Sequence, residues 1–179
     1  DGGRGTASYF GLEDDIDIYM GTFSKSLASL GGYMAASANI VDFVKHASRP
    51  FIFSASMPPA NAACALAALK VLENDPSLPK KLAHNADRLR AGLTERGIPH
   101  IEANTPIVPI YTYEPMRTLG INRDLYENGV FVNPSLPPAT PPNGCLLRCS
   151  LMASHTDDLV DEAQTLGLLG GKGRLHEHA

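Results

Sequence analysis

The sequence predicts an α/β fold, because strand-like runs alternate with segments of helical periodicity along the chain. Short apolar or alternating runs, bounded by glycine, proline or asparagine, are typical of strands. They occur at residues 16–20, 33–36, 107–112, 130–132 and 145–151. Hydrophobic residues make up 44% of the 179 residues and charged residues 19%, ordinary values for a globular protein with one core or two small lobes.

One lysine stands among small and hydroxyl residues between the first two predicted strands. Residues 16–20 alternate apolar and polar side chains, and residues 33–36 form the second run. Lys25 therefore lies on the connecting loop, in residues 21–27, which read Gly-Thr-Phe-Ser-Lys-Ser-Leu. A lysine amine can form a Schiff base with an aldehyde, and neighbouring hydroxyls suit a phosphate. An ordinary lysine on a surface loop is the alternative.

Three helices are predicted after these strands. Residues 39–46 form a short amphipathic helix that ends before Pro50. A second helix begins at residues 58–59, since proline is tolerated in a first turn, and is broken at residues 75–76. Its predicted buried face consists of Ala62, Leu66, Leu69 and Leu72. The third helix presents on one side Leu78, Leu82, Ala86, Leu89 and Leu93. Gly97 is predicted as the C-terminal cap of this third helix.

The second half of the chain changes to short strands alternating with helices. Residues 107–112 are predicted as a strand in which Pro109 indicates an edge or a bulge. A helix around residues 116–128 stops at Gly129. Thr156 is predicted as the N-cap of the last helix. The apolar stripe of that helix is predicted to be Leu159, Ala163 and Leu166.

The charge and the cysteines argue against several functional classes. A net charge of −4 argues against a nucleic-acid or anionic-membrane partner, since both require a basic face. No apolar run approaches the ~20 residues of a transmembrane segment, and no signal peptide is recognisable. Cys64, Cys145 and Cys149 are odd in number and lack metal-type spacing. A reduced, cytoplasmic protein without a metal site is therefore predicted.

Four sequence segments match, in order and spacing, the motifs of one enzyme family. They are Gly3-Arg4-Gly5-Thr6, the Lys25 stretch with Leu30-Gly31-Gly32-Tyr33, residues 49–59 (Arg-Pro-Phe-Ile-Phe-Ser-Ala-Ser-Met-Pro-Pro), and residues 129–134 (Gly-Val-Phe-Val-Asn-Pro) continuing through 137–141 to Leu147-Arg148-Cys149-Ser150. Together they resemble the α-oxoamine synthases, which belong to the fold-type I pyridoxal phosphate enzymes. The resemblance covers nearly the whole chain, except the tail after Gly170.

The resemblance implies the C-terminal half of a fold-type I transferase. Residues 1–75 would complete the large domain that binds the cofactor, at the end of its sheet, and residues 76–170 would form the small α+β domain. Residues 171–179 are predicted to be disordered or vector-derived. The family's glycine-rich cofactor loop, its ring-stacking residue and the aspartate that pairs with the pyridine nitrogen would then lie upstream of this chain.

The resemblance also implies pyridoxal phosphate as the cofactor, bound covalently through Lys25. Thr22 matches a position that contacts the cofactor phosphate, and Ser24 is a second candidate; the alternative is that both only cap the turn. Ser54 matches a position whose hydroxyl reaches the phosphate in the neighbouring subunit, which implies a homodimer with shared active sites. A strand-end serine bonded to its own backbone is the alternative for Ser54.

Arg148 lies among apolar residues of a predicted strand, and an unpaired buried charge is costly. A guanidinium group matches a carboxylate with two parallel bonds. The resemblance implies that Arg148 holds the carboxylate of the amino-acid substrate, with an internal salt bridge as the alternative. Thr140, in the stiff proline-rich loop at residues 137–141, is a second implied substrate contact. His155 is predicted only to begin a helix.

The favoured function is decarboxylating condensation of an amino acid with an acyl thioester, with Lys25 as the base. The loop at residues 137–141 most resembles that of bacterial serine palmitoyltransferases, which favours serine and a long-chain acyl donor. A soluble bacterial member carries an arginine just before the two prolines, whereas this chain has Leu136. The 8-amino-7-oxononanoate synthase, 2-amino-3-ketobutyrate CoA ligase and 5-aminolevulinate synthase activities therefore remain open. So do a pyridoxal phosphate aminotransferase and an inactive dimerisation fragment.

Overall fold

The spatial contacts between residues divide the chain into two compact units, Asp1–Ser77 and Leu78–Ala179. The computed structural model describes residues 3–165, so the predicted tail at residues 171–179 lies outside the described residues. Assignment of the two units to a large and a small domain, with the boundary after residue 75, stays a prediction. No helix among the described residues is long and apolar enough to cross a membrane.

Helices and strands alternate along the described residues, as an α/β sequence predicts. The helices are α1 (Thr6–Phe10), α2 (Ala38–Ala47), α3 (Arg49–Ile52), α4 (Pro59–Asn74), α5 (Ser77–Glu95), α6 (Pro115–Glu127) and α7 (Asp157–Ala163). The strands are β1 (Ile18–Thr22), β2 (Gly32–Ala36), β3 (Ile107–Tyr113), β4 (Asn133–Ser135) and β5 (Cys145–Ser150). A short 3₁₀ turn at Glu13–Asp15 precedes β1.

In the first unit, β1 and β2 form a two-stranded antiparallel sheet. Their register runs from Ile18 opposite Ala36 to Thr22 opposite Gly32. Both strands are confirmed, although β1 begins two residues later than predicted and continues to Thr22. The loop between them spans residues 23–31 and carries Lys25. The predicted helix at residues 39–46 is confirmed as α2.

Helix α4 begins at the predicted prolines but turns a different face inward. Its less accessible residues are Asn61, Ala65, Ala68 and Leu72, of which Ala65 is fully buried. Leu66 and Leu69 of the predicted face are exposed, so that prediction is wrong except for Leu72. Alanine and leucine occur all round this helix, and periodicity alone therefore cannot determine which face is buried.

The second unit contains a three-stranded antiparallel sheet in the order β3-β5-β4. Pro109 lies on β3, an edge strand with a register shift near its end, as predicted. One face of the sheet packs on helices and forms the core. The core cluster consists of Ala86, Leu89, Leu93, Ile98, Val108, Ile110, Ile121, Leu125, Val132, Leu147, Cys149 and Val160.

The predicted strand at residues 130–132 is wrong, because the strand begins three residues later at Asn133. Gly129 adopts a φ of 82° and Val130 donates its backbone N–H to the carbonyl of Leu125 over 2.9 Å. These groups close the end of α6, so the chain reaches the sheet only afterwards. Asn133 is then opposite Arg148 in the β4–β5 ladder.

Helices α5 and α7 confirm their predicted caps. Gly97 ends the helix region with a φ of 64°, and the hydroxyl of Thr156 accepts the backbone N–H of Leu159 over 3.3 Å. The predicted stripe of α7 is wrong, because Val160 and Gln164 are buried while Leu159 is exposed. Leu166, the third residue of that stripe, lies outside the described residues.

Candidate functional site

The loop that carries Lys25 is fixed by its own backbone. Phe23 donates its N–H to the carbonyl of Gly31 over 2.9 Å, which continues the β1–β2 ladder into the loop. Ser29 donates to the carbonyl of Phe23 over 2.8 Å, and Ala28 donates to the carbonyl of Lys25 over 3.0 Å. Lys25 therefore lies at the tip of a closed turn with its backbone carbonyl already bonded.

Glycines let the two strands that support this loop approach closely. A Cβ on Gly32 would lie 2.6 Å from the carbonyl oxygen of Gly21, and a Cβ on Gly21 would lie 2.7 Å from Cζ of Tyr33. The Tyr33 ring stacks on Phe23, with 5.8 Å between ring centroids. Gly31 has a φ of 106°, which side chains rarely adopt. The base of the loop is thus packed without room for side chains at these glycines.

The loop is also attached to α4 in the same unit. The hydroxyl of Ser29 donates to the backbone carbonyl of Asn61 over 2.7 Å. The thiol of Cys64 donates to the carbonyl of Ala28 over 3.4 Å. These contacts hold the loop against the first two turns of α4. The sequence contained no signal for them.

The side chains predicted to bind the cofactor at this loop are exposed. Thr22 at the end of β1 and Ser24 and Lys25 in the loop are all exposed, so this segment offers a primary amine and two hydroxyls. This set can form a Schiff base with an aldehyde and hydrogen bonds to a phosphate ester. The chemistry of these donors, on a backbone fixed at both ends, therefore fits pyridoxal phosphate.

Ser54 belongs to the same unit and is also exposed. It lies in a bend after α3 and before α4, and residues 49–58 contain no strand. The alternative of a strand-end serine is therefore wrong for this position. The adjoining side chain of Phe53 is exposed as well. The hydroxyl of Ser54 is accessible to a partner molecule.

Arg148 is exposed, whereas the sequence predicted that it would be buried. The residues of β5 alternate in burial, with Leu147 and Cys149 in the core and Arg148 exposed on the opposite face. The prediction that burial forces Arg148 to find an anion is therefore wrong, because solvent reaches the guanidinium. No ion pair involves Arg148 among the described residues. The alternative of an internal salt bridge has no support in this part of the chain.

Thr140 lies in the turn that leads to β5. Its hydroxyl is buried and has no hydrogen-bond partner among the described residues. A buried hydroxyl without a partner is uncommon, because its desolvation is then uncompensated. The peptide bond between Pro137 and Pro138 in the same loop is cis.

Two residues of the second unit, His155 and Asn85, were not predicted to be functional from the sequence. A cavity of about 600 Å³ is lined by Arg148, His155 and mainly apolar neighbours. Nδ1 of His155 accepts the backbone N–H of Met152 over 3.3 Å. Asn85, fully buried in α5, donates its side-chain amide to the carbonyls of Met152 and His155, each over 3.0 Å. The sequence does offer one indication of this role: Asn85 is a polar residue next to Ala86, which belongs to the predicted apolar face of the third helix.

The predicted residues form two sets. Thr22, Ser24, Lys25 and Ser54 belong to the first unit, whereas Thr140 and Arg148 belong to the second. Among the described residues, no group of three or more histidine, cysteine, aspartate or glutamate side chains could hold a metal ion.

Comparison with known proteins identifies a family and several named relatives of this chain. The family described as aminotransferase class I and II matches residues 1–165. Serine palmitoyltransferase of Sphingobacterium spiritivorum is 45% identical over 161 residues, covering 90% of this chain and 40% of that protein. The 8-amino-7-oxononanoate synthase of Geotalea daltonii is 40% identical over 163 residues, covering 90% of this chain and 42% of that protein.

A solved structure agrees with these sequence relatives. A high-resolution structure of serine palmitoyltransferase, described as SPT with PLP internal aldimine, superposes with a TM-score of 0.86 at 34% identity. The match covers 93% of this chain and 44% of that chain. The mixed helix-and-sheet fold is thus that of the pyridoxal phosphate-dependent transferases. The chain spans about 40% of the length of the curated relatives that it matches.

Proposed function

Because the chain belongs to the class I and II aminotransferase family, we propose that it binds pyridoxal phosphate and takes part in the decarboxylating condensation of an amino acid with an acyl thioester. The observation that carries this proposal is Lys25, which is exposed, follows the exposed hydroxyl residues Thr22 and Ser24 in the chain, and lies at the tip of a loop fixed by backbone bonds. The similarity to serine palmitoyltransferase supports the reaction class.

The cofactor would be held by the residues of the Lys25 loop. The Lys25 amine would bind it covalently, and the hydroxyls of Thr22 and Ser24 would bond to its phosphate. When bound, pyridoxal phosphate withdraws electrons from the substrate carbon next to the amino group. Lys25 is also the base that this loop offers for the proton on that carbon.

Arg148 would bind the carboxylate of the amino-acid substrate. The guanidinium is exposed, unpaired among the described residues and carried by the central strand of its sheet. A carboxylate can accept two parallel bonds from it. Thr140 is a further proposed contact, since its buried hydroxyl has no partner in the described part of the chain and a substrate oxygen would satisfy it.

Serine and a long-chain acyl donor are the proposed substrates. The identity of 45% to a serine palmitoyltransferase favours them, and the loop with Leu136 before its prolines keeps other donors open. The 8-amino-7-oxononanoate synthase reaction, which uses alanine and a pimeloyl thioester, is the second candidate because a relative with that name is 40% identical. Release of carbon dioxide distinguishes both from an aminotransferase.

The proposed assembly is a cytoplasmic homodimer in which Ser54 serves the cofactor of the other subunit. Its exposed hydroxyl, in a bend beside the exposed Phe53, supports this arrangement. If sites are shared, a dimer of one Lys25→Ala subunit and one Ser54→Asp subunit contains one intact site. Mixing the two inactive variants should therefore restore activity. Absence of complementation, with mixed dimers verified by mass, would remove the shared site.

Covalent cofactor attachment can be tested directly. We expect borohydride reduction of the protein with pyridoxal phosphate, followed by peptide mapping, to label the peptide that contains Lys25. Lys25→Ala should lose both the label and the visible absorbance of the Schiff base. Lys45→Ala, which removes another exposed lysine of the same unit, should keep both. A label on a different lysine in the unaltered protein would refute the assignment.

A further inference from the structure

The cavity beside Arg148 has a mainly apolar lining. It occupies about 600 Å³ and is formed by the segment before β4, the end of β5 with the turn after it, and one side of α7. Phe131, Met152 and Leu159 line it, and they are 76%, 55% and 51% exposed. Large apolar side chains that are exposed within a concave surface are typical of a ligand-binding site.

The polar groups of the cavity define which part of a ligand it suits. Arg148 is its one lysine or arginine among the described residues, and Glu162 adds a carboxylate on the α7 side. Nδ1 of His155 accepts the backbone N–H of Met152, so this ring nitrogen is already bonded within the turn. Phosphate groups of a thioester carrier would require several cations, which this lining lacks. The apolar end of an acyl donor matches it better.

The turn that carries the lining residues Met152 and His155 is held in place by hydrogen bonds from α5. Asn85 bonds to the carbonyls of Met152 and His155, and it is completely buried. The N-cap bond from Leu159 to Thr156 fixes the first turn of α7. The apolar side of the cavity is therefore built on bonded backbone, so its width is a defined property of the protein.

We propose that this cavity binds the hydrocarbon chain of the acyl thioester, and that Phe131, Met152 and Leu159 determine which chain lengths are accepted. The inference rests on the proposed condensation reaction, in which Arg148 binds the amino acid at one end of the same cavity. Chain length is selected because every additional methylene buried against these side chains adds to the binding free energy.

The first experiment places a charge in the cavity. Leu159→Glu is compatible with the first turn of α7, where acidic residues are favourable. In the holoenzyme, we expect the KM for palmitoyl thioester to rise about tenfold, equivalent to the burial of roughly two methylenes. The KM values for butyryl thioester and for the amino acid should stay unchanged. Leu119→Glu, a 43% exposed leucine of α6 outside the cavity, is the matched control and should alter none of them.

The second experiment measures binding without catalysis. This chain contains no tryptophan, so Phe131→Trp places its single tryptophan, which can be excited selectively over tyrosine, in the cavity wall. Palmitoyl thioester, added below its micelle concentration, should shift the emission to the blue in a saturable manner, whereas butyryl thioester should not. Met116→Trp, on α6 and 72% exposed, should show no shift.

The outcomes distinguish a failure of this inference from a failure of the proposed function. If the unaltered enzyme releases no carbon dioxide from any amino acid and acyl donor, the proposed function fails. If that enzyme is active but Leu159→Glu affects both donors equally, or Phe131→Trp does not respond to palmitoyl thioester, the cavity is not the acyl site. A third outcome is that the Phe131→Trp emission is already blue-shifted without ligand and that Leu159→Glu changes the molecular mass of the assembly. The apolar lining of the cavity would then be a polypeptide contact and not an acyl site.

Discussion

The guanidinium of Arg148 projects from the outer face of β5 because residues of a strand alternate between faces. Leu147 and Cys149, its neighbours in the chain, lie in the core. Pro109 and Asn133 are opposite Arg148 on the two adjoining strands. The sheet thus fixes the backbone of Arg148 from both sides while leaving the side chain accessible to an anion.

Replacement of Arg148 by lysine should weaken amino-acid binding but not cofactor binding. Lysine keeps the charge and loses the planar fork that forms two bonds with a carboxylate. Loss of such charge-assisted bonds costs about 1.5–3 kcal/mol, or roughly one to two decades in kcat/KM for the amino acid. Steady-state kinetics and the cofactor absorbance measure the two effects. Arg123→Lys, which changes an exposed side chain of α6, should change neither. Loss of cofactor from Arg148→Lys would make this residue structural.

Gly21 is the residue whose side chain would interfere most directly with the base of the Lys25 loop. We expect Gly21→Ala to lower the free energy of unfolding by about 1–3 kcal/mol, because its Cβ would overlap the ring of Tyr33. Urea denaturation measures this change. Gly120→Ala, a helical glycine with nothing within 4 Å of an added Cβ, should instead stabilise by roughly 0.5–1 kcal/mol. If Tyr33→Ala does not relieve the defect, the overlap is not its cause.

Ion pairs connect α5 with α7 at the level of elements. Arg88 donates from Nε and Nη2 to the two carboxylate oxygens of Asp161 over 2.7 and 2.6 Å. Asp157 lies 3.3 Å from the Arg88 guanidinium and 3.0 Å from Nε2 of His84. The hydrogen bonds from Arg88 are the main cause that lowers the pKa of Asp161 below its usual 3.8.

The docking of α7 should therefore weaken in acid. A lowered folded pKa means that Asp161 contributes its stability above the unfolded pKa of 3.8, and that this contribution is lost as the pH falls towards the folded value. Asp161→Asn should unfold more easily at neutral pH and approach the unaltered protein in acid. Glu162→Gln, one residue along the same helix, should retain the original pH profile. Parallel curves for Asp161→Asn and the unaltered protein would contradict the prediction.

Helix caps could be predicted from sequence, whereas buried faces and ladder positions could not. Gly97 and Thr156 act through groups a few residues away, so the local sequence contains their signal. The start of β4 at Asn133 depends on pairing with Arg148, which lies far along the chain. The buried face of α4 likewise depends on the loop contact to Asn61. Tertiary contacts decided both, and periodicity does not report them.

At the scale of the molecule, the two units differ in how well they bury apolar side chains. Among the described residues, Ala65 is the only buried apolar residue of the first unit, and the core cluster lies wholly in the second. The first unit exposes large apolar side chains that include Phe43, Phe51 and Phe53. A two-stranded sheet is marginally stable alone. Independent folding is therefore an expected property of the second unit.

Separate expression of the units tests this difference. We expect residues 78–179 to unfold cooperatively with urea and to give dispersed amide resonances. Residues 1–77 alone should give poorly dispersed resonances and bind a hydrophobic dye, because their apolar side chains lack a core. Cooperative unfolding of residues 1–77 would show that the first unit is stable by itself.

The position of the candidate residues on their loop could be predicted from the sequence, whereas their surroundings could be predicted only in part. Lys25 and its hydroxyl neighbours lie on the predicted loop because the flanking strand signals are local. The exposure of Arg148 and the buried hydroxyl of Thr140 depend on which face of a sheet or loop packs inward. Asn85 and His155 acquire their relation only through folding, since 70 positions separate them.

The thiols give the protein a built-in position for a spectroscopic label. Cys145 and Cys149 are buried, and burial raises the pKa of Cys149 to about 12, so alkylating reagents that need a thiolate react with it slowly. Cys64 is exposed and bonded to the carbonyl of Ala28, in the loop that carries Lys25. Among the three cysteines of this chain, Cys64 is therefore the one at which a maleimide dye would attach, and the anisotropy of the dye would report movement of that loop in real time.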